Sequence, residues 1–166
     1  GWYLAITSTK TPTALVLTRQ NLPQLPGSSK DALKGAYVLS VAKDPADMKG
    51  ILIGTGSEVS LAIEAQKELA AQGIDVRVVS MPCQELFDAQ SAEYKESILP
   101  HDVRARVAVE AAADFGWGKY VGLDGATVTM KGFGASAPAA QLFEKFGFTK
   151  ENVVKTMLGV IAKAND

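Results

Sequence analysis

"ILIGTGSEVSLAIEAQKELAAQG", residues 51–73, reads as a strand that runs through two glycines into a helix. The stretch "GILIGTG" is a short apolar run closed by turn residues, the pattern of a buried strand. After it, Val59, Ala62, Ile63, Leu69 and Ala70 recur on one face at helical spacing, with Ser57 placed to cap the helix and Gly73 to stop it. "IDVRVVSMP" comes next, a strand whose many β-branched residues suit burial on both faces. Strands separated by helices in this way predict an α/β sandwich around a largely parallel sheet.

Working outward, "AYVLSVA" is a strand followed by the turn "KDPADMK", and the two are expected to form an antiparallel hairpin with "GILIGTG". On the other side lie a helical stretch around "AEYKESIL", a fourth strand "ARVAVEAAA", a helical turn "WGKYVG" and a fifth strand "ATVTM". Two helices end the pattern. Residues 138–146 are expected to bury Leu142, Phe143 and Phe146; residues 150–163 are expected to bury Val153, Val154, Met157, Leu158 and Ile161, with Thr149 as cap. Before this unit, "WYLAITSTKTPTALVLTRQ" reads as a short amphipathic helix, a Thr-Pro break and a strand at about 13–18. "NLPQLPGSSKDALKG" has the composition of a surface linker with at most one helical turn, which places a domain boundary near Gly27. "GWYLAITSTK" has too short an apolar run and no basic lead for a signal peptide, and reads as the end of a helix.

Composition narrows the function classes. The 166 residues are 47% apolar and 21% charged, and no apolar run approaches the ~18 residues that a membrane span requires. Seventeen basic residues stand against 18 acidic ones with no basic block, so nucleic acid is not an expected partner, and neither is a membrane. Cys83 is the single cysteine, which rules out an internal disulfide and a thiolate metal cluster and fits a cytoplasmic setting.

Several residues invite a chemical reading. "GTGSE", residues 54–58, could hold a phosphate at a helix N-terminus, which would make this a free-standing phosphate- or nucleotide-binding α/β module. The fingerprint is incomplete, since Val59 stands where a dinucleotide loop wants glycine and no Gly-Lys-Ser/Thr follows; Gly54 and Gly56 also suit close strand-helix approach. Glu110 and Asp114 could pair at the same rim as Ser57 and Ser80, without a base, nucleophile or metal partner beside them. His101 is the sole histidine and suits a surface loop better than a zinc site; Cys83 suits a partly buried, inert thiol. Trp117 and Tyr120 are either an interface patch or core. Arg19, at the end of "ALVLTRQ", is either a solvated charge or a fork aimed at an anion, and spacing leaves both open.

Taken together, "TPTALVLTRQNLPQ", "ILIGTGSEVSLAIEAQKEL", "DVRVVSMPCQELFDAQ", "YKESILP", "RVAVEAAADFGWGKYVG" and "GFGASAPAAQLFEKFGFTKENVV" resemble the C-terminal part of the transketolase family, in order and over nearly the whole chain. The resemblance implies a three-layer αβα sandwich whose five-stranded, mostly parallel mixed sheet has one antiparallel strand. It implies that residues 1–26 are the tail of the middle, pyrimidine-binding domain plus linker, and that residues 27–166 are the C-terminal domain. It also implies a parent enzyme of the pentose phosphate pathway that transfers a two-carbon ketol unit between sugar phosphates, using thiamine diphosphate and Mg²⁺. In this portion no catalytic, cofactor-binding or metal residue is expected; the family's "RQN" arginine, which binds substrate phosphate, falls on Arg19. The remaining transketolase domains and a second copy in a homodimer are the expected partners, with a structural and dimerisation role for the portion itself.

Overall fold

The computed structural model describes residues 1–164. Its centre is a five-stranded sheet built from β1 (Tyr37–Ser40), β2 (Gly50–Gly54), β3 (Val76–Ser80), β4 (Arg106–Ala113) and β5 (Ala126–Met130), in the order β1-β3-β2-β4-β5. β2 is parallel to both β3 and β4, and β4 is parallel to β5; β1 alone runs antiparallel, along the outer edge of β3. The mixed sheet with one antiparallel edge strand agrees with the expectation.

The helices form two outer layers. On one face lie α2 (Glu58–Ala71) and α7 (Lys150–Ala164), which share a core of Leu52, Val76, Val78, Val107 and Val109 with Leu69, Val153 and Met157. On the other lie α3 (Gln84–Asp88), α4 (Ala92–Ile98) and α5 (Gly118–Val121), where Phe87, Ile98, Trp117 and Tyr120 meet Ile51, Ile53, Val79 and Ala108. Leu52 and its neighbours Ile51 and Ile53 therefore serve opposite layers, as the two-residue period of a strand requires. All five residues of β2 are buried, and both of its edges are hydrogen-bonded. α1 (Trp2–Thr7) and α6 (Ala139–Phe146) complete the set and contain no buried residue.

The expected β1–β2 hairpin does not form. β3 occupies the position beside β2, and Tyr37 and Val38 of β1 face Ser80 and Val79 instead. The connection over 41–49 is longer than the roughly two to five residues of a hairpin loop, and a 3-10 turn at Pro45–Asp47 lies within it. Strand formation over 13–18 fails as well: the backbone there joins no ladder, and Val16 and Leu17 are 96% and 74% exposed. An isolated extended run with no neighbouring strand has nothing to pair with.

Side-chain expectations hold with local exceptions. Val59, Ala62 and Leu69 are buried on α2 and Ile63 is half-buried, but Ala70 is exposed and Ala65 takes its place in the core. Leu142, Phe143 and Phe146 of α6 are half-buried, because Phe148 just beyond the helix is the ring that enters the core. On α7, Val160 is buried while Leu158 and Ile161 lie at its margin. The Thr149 hydroxyl accepts from the Asn152 N–H at 3.2 Å, as a cap should.

Candidate functional site

Arg19 sits in the irregular segment that links α1 to the sheet unit, and it is exposed. The Gln20 N–H donates to the Thr18 hydroxyl oxygen at 3.3 Å, which closes a turn across it. Six residues on, Leu25 packs against Tyr37, Leu39 and Val59 at the edge of the sheet. Gly27 follows with φ +89°, so close to β1 that a Cβ there would lie 2.2 Å from the Leu39 carbonyl oxygen. Leu25 and Gly27 thus pin the segment to β1, six and eight residues beyond Arg19. Among the described residues Arg19 enters none of the ion pairs. A guanidinium so placed offers a fork of donors to an incoming anion, but no nucleophile or base.

"GTGSE" is built for close packing. A Cβ on Gly54 would come within 3.0 Å of the Val59 Cα, and Gly56 adopts φ +56°. The Ser57 side chain does not cap α2: its backbone is already helical, and the hydroxyl instead donates to Glu58 Oε1. Glu58 is only 5% exposed, and its Oε2 accepts from the Ala111 N–H at 3.1 Å, tying the start of α2 to the end of β4. The start of α2 is thus taken up by contacts within the chain, and the turn serves the packing of α2 on β2.

Glu110 and Asp114 do not form an acidic pair. Trp117 Nε1–H donates to Glu110, while Asp114 accepts from Lys131 at 2.7 Å, a bond that holds its carboxyl below the usual range. Trp117 and Tyr120 resolve as core, 1% and 4% exposed. His101 is on the surface between two carboxylates, with Nδ1 2.6 Å from Glu96 and Nε2 2.8 Å from Asp102; the Glu96 hydrogen bond, then the Asp102 charge, raise its pKa. Cys83 is half-buried just before α3, its thiol donating to Glu85 at 3.4 Å. Among the described residues, no group of three or more His, Cys, Asp and Glu side chains is placed to hold a metal ion.

Two polar clusters escaped the sequence reading. Asp88 accepts from the Tyr120 hydroxyl at 2.9 Å and from the Lys119 ammonium, while Lys95 donates to its carbonyl at 3.1 Å. Burial, aided by this bond, pushes the Tyr120 hydroxyl up to about 12, so the phenol stays a donor. Half-buried Arg106 donates to the carbonyls of Val103, Tyr120, Leu99 and Pro100 and sews the loop before β4 to α5. Asp88 meets Lys119 and Tyr120 from 31 and 32 residues away, a pairing that no spacing rule could reveal.

Residues 35–149, from the turn before β1 to the cap of α7, match the family described as the transketolase-like TK C-terminal domain. The chain belongs to this transketolase family. A probable transketolase of Streptococcus pneumoniae is 59% identical over 158 residues, 95% of this chain and 24% of that protein. Among solved structures, transketolase from Leishmania mexicana superposes with a TM-score of 0.91 at 47% identity, covering 99% of this chain and 24% of its own. Transketolase of Pichia stipitis in complex with sedoheptulose 7-phosphate gives 0.88 at 48% identity, covering 97% and 23%. The chain thus spans about a quarter of the length of these transketolases.

Proposed function

We propose that these residues work as the C-terminal portion of a transketolase that transfers a two-carbon ketol unit between sugar phosphates, and that Arg19 holds the substrate's phosphate. The observation that carries this is the continuous similarity to transketolases over 95–99% of the chain. A relative's crystal complex with a ketose phosphate supports the substrate class. Arg19 supports the phosphate role through its exposure on a loop anchored to β1. A distal phosphate held by a bidentate fork keeps the reacting carbon in place, and such charge-assisted bonds contribute about 1.5–3 kcal/mol.

Thiamine diphosphate and Mg²⁺ belong to the proposed parent enzyme, and in this reading the groups that hold them lie outside this chain. The contribution assigned to the chain is therefore substrate positioning and structural support. Residues 1–26 form the margin of a preceding pyrimidine-binding domain in this reading; exposed Trp2, Tyr3, Ile6, Val16 and Leu17 support that, since each is an apolar side chain needing a neighbour. A homodimeric, cytoplasmic enzyme completes the proposal, with the lone Cys83 suited to a reducing compartment.

The test is Arg19→Ala in the complete enzyme. KM for phosphorylated sugars is expected to rise about tenfold or more while kcat falls far less, because the lost contact is largely uniform binding. Unaltered KM values overturn the role of Arg19.

A further inference from the structure

Lys95 and Arg106 line one cavity of about 270 Å³ between α3, α4 and α5, and among the described residues neither enters an ion pair. The Lys95 ammonium has the Asp88 carbonyl as its acceptor. Half-buried Arg106 spends four of its five N–H bonds on carbonyls, which leaves one without an acceptor. Nearby carboxylates are engaged elsewhere: Asp88 accepts from Lys119 and Tyr120, while Glu96 accepts from the His101 N–H at 2.9 Å and faces its Nδ1 at 2.6 Å. Lys95, Arg106 and Lys119 thus stand against Asp88 and Glu96 on the cavity walls, an excess of one positive charge. Burial draws the Arg106 guanidinium below its ordinary pKa, an effect that a bound anion would oppose. Much of the remaining lining is apolar, with Phe87, Leu99 and Tyr120 all buried. An apolar cavity of roughly 150 Å³ holds a benzene ring, so this one has room for a ring and a small polar group. All of these walls come from residues 87–120, so their arrangement leans on nothing before or after that span.

We propose that this cavity binds a small monocarboxylate with a ring-sized apolar body, its carboxylate held by Lys95 and Arg106 and its body laid against Phe87, Leu99 and Tyr120. One excess positive charge matches one negative charge. A phosphate dianion would meet Asp88 and Glu96 on the same walls with twice the repulsion. A carboxylate without a body would forgo the apolar burial that the walls offer. Arg19 lies on none of these walls, and the site does not depend on its role.

Isothermal titration calorimetry on the complete transketolase carrying these residues tests the site, with benzoate as probe near neutral pH. Arg19→Ala serves as the background, so that the proposed phosphate site takes no part. Benzoate is expected to bind with a Kd of about 1 mM. Benzyl alcohol, which lacks the charge, and phenyl phosphate, largely a dianion at that pH, should each bind about tenfold more weakly. Lys95→Gln removes one cation and should weaken benzoate about five- to tenfold. Ala92→Phe puts a ring into the cavity from exposed ground on α4 and should abolish binding. Neither substitution removes an acceptor of Arg106, and the comparison of the three probes needs no cavity variant. Absence of saturable benzoate binding, tighter binding of phenyl phosphate than of benzoate, or benzoate binding unchanged in either variant overturns the proposal.

Discussion

The chain's two tryptophans live in opposite surroundings. Trp117 is 1% exposed, wedged against the sheet beside Tyr120 with its indole N–H given to Glu110; Trp2 is 72% exposed on a helix that buries nothing. Residues 1–26 and the sheet unit after them are similarly apolar to read, yet only the second supplies its own partners. Apolar side chains are a driving force only where something lies within contact distance, and the first segment has neither a paired strand nor a facing layer. The difference teaches that, apart from Leu25 against β1, the first region finds no core among the described residues.

The sharpest way to break this contrast is to truncate both indoles. Trp117→Ala should destabilise the chain by about 3–5 kcal/mol, whereas Trp2→Ala should change it by less than about 0.5 kcal/mol. Equilibrium denaturation measures both, and comparable losses would show that the N-terminal segment shares the core of the sheet.

A smaller effect probes how tightly the sheet unit is packed. Gly54→Ala sets a Cβ 3.0 Å from the Val59 Cα and 3.2 Å from its nitrogen, and helix backbone cannot rotate aside as a side chain can. A loss of about 1–3 kcal/mol is expected in the denaturation midpoint, and a neutral result would mean that α2 floats on β2 instead of seating against it.

The smallest effect shows that exposure alone does not make a residue silent. Both imidazole nitrogens of His101 face carboxylates, so the folded chain holds the ring proton more tightly than an unfolded one, whose pKa is about 6.5. The resulting stabilisation is complete below that value and is lost as pH climbs through the raised folded value. NMR titration of this single histidine should give a midpoint above 6.5, and His101→Gln should flatten the pH dependence of stability in that window; a midpoint at or below 6.5 contradicts the pairing.

The parallel centre of the sheet was legible because β2, α2 and β3 announce themselves by period: short β-branched runs flank an amphipathic helix, and the glycines stand where the chain turns. The edge was not. Hydrogen bonding of β1 to β3 is a choice among partners made in three dimensions, and the only local clue against a hairpin was the length of the 41–49 connection. The strand expected over 13–18 has convincing composition and fails for lack of a neighbour, a fact outside any window of sequence. Ser57 looked like a cap, but a backbone that is already helical sends its hydroxyl to Glu58, so the residue type was informative and its conformation was not. At the candidate site, the sequence singled out Arg19 only through the resemblance of "RQN" to the family's motif. The turn across it and the pinning of its loop by Leu25 and Gly27 depend on contacts that only the folded edge provides.

That edge carries an order of assembly. β1 is made before the other strands of this sheet, yet its seat beside β3 exists only once the chain has been made as far as Ser80. The earliest strand of this sheet therefore waits for β3, and its pairing closes the long loop that carries β2 and α2. Since Leu25 and Gly27 lean on β1, the segment that leads into the sheet is tethered at their end only once that pairing has formed.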